Sequence, residues 1–254
     1  MIKILVNGAL GRMGRTVCAA VKADSDLELV GAVDVLAGEV EGLQVETDLD
    51  AALKKFSPEV MVDFTRPNVV FQNVMTALAN KVSPVVGTTG LSDEAKEKIR
   101  ALAEENQTPA FIAPNFALGA VLMMLTAQRI AKYMPDVEII ELHHDKKLDA
   151  PSGTAELTAK MIAEVRPSHR QGHPDEVERL AHARGADFDG IKIHSVRLPG
   201  YVAHQEVIFG GLGQTLTIRH DSTGRDSFMP GVVLACKKVR ELKGLTVGLD
   251  KILD

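Results

Sequence analysis

The chain has 254 residues, of which 45% are hydrophobic and 25% charged, and a formal net charge of −5 at pH 7. At about 150 residues per domain this length allows one large domain or two modest ones, and the composition is that of a folded globular protein, not a disordered chain. The acidic balance argues against a binder of nucleic-acid phosphates, and no apolar run reaches the roughly 18 residues of a membrane span.

The first half alternates strands and helices. Ile2 to Val6 reads as a strand and Met13 to Ala23 as a helix, followed by strands at Leu27 to Val33 and Glu59 to Phe64. Val60, Met61 and Val62 read as buried on both faces. Pro67 to Asn80 suits a helix, with Pro67 in its first turn and Val70, Val74, Ala77 and Leu78 along one side. After a strand at Pro84 to Val86, Ser92 reads as an N-cap followed by Asp93 and Glu94 in the positive first turn. Ala95, Ile99, Leu102 and Ala103 have helical spacing, and Pro109 to Ile112 closes the series as a strand. Strands separated by helical patterns imply βαβ units and a parallel sheet.

The pattern changes near Phe116. A mostly apolar helix runs to about Tyr133, then a strand from Val137 to Leu142 and a helix from Ala155 to Val165. Arg166 to Asp189 is polar and reads as an exposed connection. Ile191 to Arg197, Ala203 to Phe209 and Gln214 to His220 read as strands, the last with one buried face. A run of strands without helices marks an antiparallel α+β domain. A helix from Ser227 to Leu242 ends the pattern. The expected fold is α/β: a Rossmann dinucleotide-binding domain from 1–115 and 226–254, and a central α+β domain from 116–225 for substrate and oligomerisation. Cys18 and Cys236 form no disulfide framework or zinc spacing and read as small core residues. Aromatic residues, at 4% with no tryptophan, are too few for a nucleic-acid stacking platform. A strand at the very start, with no basic leader, points to a cytoplasmic protein.

Between the first strand and first helix lies Gly8-Ala-Leu-Gly11-Arg-Met-Gly14. Glycines alone signal any tight turn, but here they follow a buried strand and open a helix, whose first N–H groups suit a pyrophosphate. Asp34 follows Gly14 by 20 residues, at the end of the second strand, where an acidic side chain binds adenosine ribose hydroxyls. The later strands end in Phe64-Thr65-Arg66-Pro67, Gly87-Thr88-Thr89-Gly90 and Ala113-Pro114-Asn115-Phe116. In a doubly wound sheet these ends share one edge, where ligands bind. Asp34 would repel a 2′-phosphate, and Val35, Leu36 and Ala37 supply no cation for one, so NADH is the preferred cofactor; NADPH stays possible through Arg12.

The chemistry concentrates in Glu141-Leu-His-His-Asp-Lys-Lys-Leu-Asp-Ala-Pro-Ser-Gly-Thr154. His143 and His144 follow a strand and should point in different directions, so they are no chelating pair, and no metal site is expected. A solvated basic loop is the plainer alternative. The functional one is acid–base work beside anion binding, with histidine titrating near neutrality and lysine as anchor or proton donor. Ser152 reads as an N-cap; the N–H groups of Gly153 and Thr154 and the Thr154 hydroxyl offer a carboxylate or phosphate site.

These motifs, with Asp-Phe-Thr-x-Pro and above all Glu-x-His-His-x-x-Lys-x-Asp-Ala-Pro-Ser-Gly-Thr-Ala, resemble the 4-hydroxy-tetrahydrodipicolinate reductase (dihydrodipicolinate reductase) family of lysine and diaminopimelate synthesis. The resemblance spans nearly the whole chain. It implies reduction of 4-hydroxy-tetrahydrodipicolinate, a small anionic dicarboxylate, by hydride from NAD(P)H, and a homotetramer built on the open sheet of the substrate domain. It implies that His143 is the catalytic acid/base and Lys147 a second proton donor, with protonation at ring C3 open between them. His144, Lys147, Ser152, Gly153 and Thr154 would hold the substrate's carboxylates. Gly8, Ala9, Leu10, Gly11, Arg12, Met13, Asp34, Gly87, Thr88, Thr89, Ala113, Pro114, Asn115 and Phe116 would line the dinucleotide. Some members carry arginine after the acidic residue; Val35 departs from that pattern, as Pro114 departs from a residue often small. Another two-domain nicotinamide oxidoreductase would not need the His-His to Ser-Gly-Thr block, and a DNA-binding dinucleotide sensor would carry a basic recognition element.

Overall fold

The computed structural model describes residues 1–167 and 171–253. Its backbone contacts divide into two units, Met1–Leu118 with Arg225–Asp254, and Gly119–Gly224.

The first unit begins with β1 (Ile2–Asn7), α1 (Arg12–Ala23) and β2 (Leu27–Val33). Two short strands, β3 (Gly38–Val40) and β4 (Leu43–Glu46), and a helix, α2 (Leu49–Phe56), follow where no element was expected. Asp48 caps α2, its side chain accepting from the Ala51 amide. Next come β5 (Val60–Asp63), α3 (Val70–Ala79), β6 (Ser83–Val86), α4 (Asp93–Glu105) and β7 (Ala110–Ile112). Helix α3 starts at Val70, so Pro67 precedes it and does not lie in its first turn. Its face of Val70, Val74, Ala77 and Leu78 is fully buried, and Ser92 caps α4 by accepting from the Ala95 amide at 3.1 Å.

The second unit carries α5 (Leu118–Ala131), β8 (Asp136–His143), α6 (Gly153–Ala163), β9 (Ala186–Phe188), β10 (Ile191–Arg197), β11 (Ala203–Gly211) and β12 (Gln214–Ser222). The chain returns to the first unit with α7 (Met229–Lys238), shorter than expected and flanked by 3₁₀ turns, and β13 (Leu245–Val247), which the sequence reading lacks.

The first sheet has the order β13-β7-β6-β5-β1-β2-β4-β3. Its neighbours pair in parallel except β3 with β4. β1 lies between β2 and β5, so the order reverses there, and the carboxyl ends of these strands bound the crevice of a doubly wound sheet. The cysteines are free and buried, on α1 and α7.

The second sheet has the order β12-β11-β8-β10-β9. It is mixed, not antiparallel: β8 and β10 pair in parallel, with α6 in the connection between them. Pairing across a helix is a non-local event that a run of strand patterns does not reveal. Strand alternation places Val137, Ile139 and Glu141 of β8, Ile191 and Ile193 of β10, and Gln205, Val207 and Phe209 of β11 on one buried face. Helix α6 lies over that face, where Gln205 Nε2 donates to Thr158 Oγ1 at 2.8 Å. β12 corrects another expectation. Leu216 is 41% exposed and Ile218 half-buried, because β12 is an edge strand of this sheet. Within the expected connection from Arg166 to Asp189, residues 168–170 (Ser168, His169 and Arg170) lie outside the described residues.

Candidate active site

The loop after β1 is built for close backbone approach. Gly8 has φ +81°, and a Cβ there would meet the Phe64 carbonyl oxygen at 2.6 Å. A Cβ at Gly14 would lie 2.0 Å from the Gly8 oxygen, so only glycine lets α1 pack against the loop. Gly11 is the N-cap of α1 and supplies no side-chain cap, and the first turn holds no acidic residue. The opening N–H groups of α1 thus have neither helical nor side-chain acceptors, the arrangement that suits an anion. The amides of Gly8 and Ala9 donate to the Val33 carbonyl at 2.9 and 3.0 Å, stitching the loop to the end of β2. Asp34 follows directly, its Oδ2 accepting from the Leu10 amide at 2.9 Å and its Oδ1 from the Val35 amide at 2.8 Å. Ala9 is buried, Leu10 and Met13 are half-buried, and Arg12, Val35, Leu36 and Ala37 are exposed.

The other strand ends converge on a residue the sequence reading left without a role. Asp63, fully buried at the end of β5, accepts from Asn7 Nδ2 (2.9 Å), Asn73 Nδ2 (2.9 Å), Thr88 Oγ1 (2.8 Å), and the Thr65 amide and hydroxyl (3.1 and 2.7 Å). Thr88 is therefore spent on structure: buried, it donates to Asp63 and accepts from the Thr65 amide. Gly87 packs against the Phe64 ring, where a Cβ would come within 2.2 Å. Phe116 is buried against Phe64 and Phe111, with ring centroids 5.9 and 6.1 Å apart, and Ala113, three residues earlier, is also buried. Asn115 accepts from the Ala117 amide, while Thr89 and Pro114 are exposed.

In the second unit, Glu141 and His143 share a face of β8 because they are two residues apart. The Glu141 side chain is fully buried and bonds His143 Nδ1 at 2.5 Å. From β10, Arg197 reaches the same carboxylate with Nη1 at 2.8 Å and Nη2 at 2.7 Å. The Ser152 amide adds a fourth donor at 3.2 Å. Burial alone would raise the Glu141 pKa; hydrogen bonds from His143, Arg197 and Ser195 outweigh it and bring the carboxyl down to about 2. An ionised carboxylate only accepts, so Nδ1 of His143 carries the proton and Nε2 is the nitrogen left to face a ligand.

His144, past the end of the strand, is exposed. Lys147 Nζ holds both oxygens of Asp149, at 2.7 and 2.8 Å. Ser152 caps α6, its Oγ accepting from the Ala155 amide at 3.2 Å. The next two amides, of Gly153 and Thr154, have no acceptor within the helix, and nothing lies within 4 Å of a Cβ built on Gly153. The block therefore gathers a tautomer-fixed imidazole, an ammonium and open helical N–H groups. Sequence reasoning assigned no role to Glu141, Asp149 or Arg197. Alternation from His143 was a signal for Glu141; Arg197, far along the chain, left none. Among the described residues no group of three or more His, Cys, Asp or Glu side chains is placed to hold a metal, and no helix is long and apolar enough to cross a membrane.

Two family models cover the chain: "Dihydrodipicolinate reductase, N-terminus" matches residues 2–116 and "Dihydrodipicolinate reductase, C-terminus" residues 119–253. The chain is 52% identical over 264 residues to the 4-hydroxy-tetrahydrodipicolinate reductase of Desulfitobacterium hafniense (strain DSM 10664 / DCB-2), and 54% identical over 263 residues to that of Geobacillus thermodenitrificans (strain NG80-2). Both alignments cover 100% of this chain and 99% of the relative. Among solved structures, dipicolinate-bound dihydrodipicolinate reductase from Paenisporosarcina sp. TG-14 superposes with a TM-score of 0.93 at 49% identity, covering all of both chains. GenD2 from gentamicin A biosynthesis, in complex with NAD, has a TM-score of 0.64 at 17% identity and covers 99% of this chain and 90% of GenD2, a likeness of fold alone.

Proposed function

This chain belongs to the dihydrodipicolinate reductase family, and from that premise we propose how its own residues carry the reaction. It is a nicotinamide-dependent oxidoreductase that reduces 4-hydroxy-tetrahydrodipicolinate, by way of dihydrodipicolinate, to tetrahydrodipicolinate in lysine biosynthesis.

The cofactor's place is supported by the glycine cradle, which side chains at Gly8 or Gly14 would fill, and by the open N-terminus of α1. Gly8 to Met13 would hold the pyrophosphate, Asp34 the adenosine ribose, and Gly87 to Thr89 with Ala113 to Phe116 the nicotinamide end, Thr88 through its backbone because its hydroxyl is engaged by Asp63 and Thr65. When bound, the reduced nicotinamide supplies the hydride. Asp34, with the exposed Val35 and Leu36 after it, favours NADH over NADPH, since a 2′-phosphate there would meet a carboxylate and no neighbouring cation from residues 35–37.

His143 is the acid/base. One observation carries this assignment: a single carboxylate, Glu141, bonds His143 Nδ1 with one oxygen and the amide of Ser152, the cap of α6, with the other. The histidine and the anion-binding helix end are thereby joined through one group. Reduction at ring C4 leaves an enamine whose C3 takes a proton, and Nε2 of His143 delivers it. Lys147 is already ion-paired, so its part is to exchange Asp149 for a substrate carboxylate. Ser152, Gly153, Thr154 and His144 complete that carboxylate site, and the open helix N-terminus offsets the charge of a dianion.

A homotetramer is part of the proposal. The face of the second sheet away from α6 carries the half-buried Ile140, Leu142, Val196 and Ile208, an apolar centre suited to a second copy. A cytoplasmic location fits the two unpaired cysteines.

The test mixes pyruvate, aspartate semialdehyde and the synthase that condenses them with this protein, and follows NADH absorbance. His143→Gln lowers turnover by about 10²–10⁴ while NADH binding survives. Turnover near wild type in that variant removes the role given to His143.

A further inference from the structure

We infer that Glu141 and Arg197 are positioning residues for the reduction, which fix the His143 imidazole as its Nδ1–H tautomer and tie it to the loop that carries Lys147. The inference rests on the assignment of His143 as the acid/base.

Glu141 cannot itself act on a substrate. It is fully buried, and His143 Nδ1, both terminal nitrogens of Arg197, the Ser152 amide and the Ser195 side chain take up the roughly four acceptor sites of a carboxylate. Its effect has to pass through the groups it holds. A histidine free to choose its tautomer would spend part of its time with the proton on the wrong nitrogen. Here the ionised carboxylate beside Nδ1 removes that choice. After Nε2 gives its proton to C3, the enamine's electron pair becomes the new C–H bond and the imidazole is left neutral, with its remaining proton on Nδ1 against Glu141. A proton from solvent then restores Nε2–H.

Arg197 has a second task. Besides its two bonds to Glu141, Nη2 donates to the Asp149 carbonyl and Nη1 to the Val196 carbonyl, each at 2.8 Å. Asp149 is the residue that holds Lys147, and Ser152, held by Glu141, caps α6. One ion pair thus connects the imidazole, the ammonium and the helix N-terminus. The planar fork of arginine suits this set of contacts; a lysine ammonium cannot make them at once.

Three variants and one spectroscopic measurement test the inference. In ¹⁵N-histidine spectra, neutral His143 of the wild type carries its proton on Nδ1, and Glu141→Gln loses that preference. Glu141→Gln lowers kcat about 10²-fold, with KM changed much less and NADH affinity unchanged. Arg197→Lys gives a smaller loss, with a larger share in KM. The double variant Glu141→Met with Arg197→Met removes both charges, an exchange that buried pairs often tolerate, so it decides the matter if Glu141→Gln does not fold. It is expected to fold and to show the same loss of kcat. Wild-type kcat in Glu141→Gln or in the double variant overturns the inference, as does a neutral wild-type His143 protonated on Nε2. His143→Gln, run beside them, separates the two levels. If it is inactive while Glu141→Gln is fully active, the positioning role alone fails. If it is active, the acid/base assignment fails, and the positioning role with it.

Discussion

Asp34 is held by the loop it faces: its Oδ2 accepts the Leu10 amide proton at 2.9 Å, while Oδ1 takes that of Val35. The carboxylate is therefore oriented before any ribose arrives. Val35→Arg places a cation next to that carboxylate, at a position 87% exposed. A charge-assisted bond to a 2′-phosphate is worth about 1.5 kcal/mol, or roughly tenfold. The ratio of kcat/KM for NADPH to that for NADH should rise by about that factor. An unchanged ratio shows that the missing cation does not set the preference.

Lys147 and Asp149 form a pair on a half-open surface. The Lys147 ammonium holds the Asp149 carboxyl below the usual carboxylate range, so the pair stays charged as pH falls through that range. If a substrate carboxylate displaces Asp149, removing Asp149 removes a competitor. Asp149→Ala is then expected to lower KM severalfold, with stability changed by no more than about 1 kcal/mol because the Asp149 side chain is 60% exposed. Lys147→Ala should do the opposite, raising KM and lowering kcat. Steady-state kinetics and thermal melts on the two variants decide this, and a raised KM in Asp149→Ala means the two carboxylates do not compete.

Glu141 predicts an acid limit to stability. Its carboxyl is lowered from an ordinary value of 4.5 to about 2 in the folded protein. A group lowered on folding contributes stability that is present above its unfolded pKa and lost as pH falls towards the folded one. The wild type should therefore lose stability between about pH 4.5 and pH 2 in excess of the Glu141→Met/Arg197→Met variant. Urea unfolding at several pH values measures the difference. Parallel curves for the two proteins would mean that the buried pair does not contribute to acid unfolding.

The same residues show what was legible in the chain. Local signals worked where the physics is local: Ser92 and Ser152 cap the helices their sequences announce, and β2 and β10 have their expected bounds because apolar periodicity marks them. The strands within Gly38 to Phe56 were missed because β3 and β4 are short and only partly buried, with charged or polar residues inside them, whereas the equally short β6 and β7 are buried throughout and read as apolar runs. Asp48 was a usable cap signal there. β13 was missed for the same reason, since only Leu245 of its three residues is buried. In the candidate site, His143 and the Ser-Gly-Thr turn were legible as residue types with a chemistry of their own. Arg197 was not, since its meaning comes from lying opposite His143 in the parallel pairing of β10 with β8. Asp63 lies within the Asp-Phe-Thr-x-Pro motif, but its partners Asn7, Asn73 and Thr88 converge only when the sheet forms.

Asp63 supports the last prediction. Its buried carboxylate takes protons from five donors, all uncharged: two asparagine amides, two threonine hydroxyls and one backbone N–H. These donors come from the end of β1, the turn after β5, α3 and the turn after β6, so one side chain sets the rim on which the proposed nicotinamide contacts depend. Asp63→Asn keeps the size but turns one acceptor into a donor facing donors. At least one buried group then lacks a partner, at a cost of about 1–3 kcal/mol. Urea unfolding should show that loss, and NADH should bind more weakly because the Thr65 and Thr88 turns are no longer fixed. His143 lies in the other unit, so its ¹⁵N tautomer signature should be unchanged. Wild-type stability with wild-type NADH affinity in Asp63→Asn would show that water or rotated amides replace the lost acceptor and that the rim does not depend on this carboxylate.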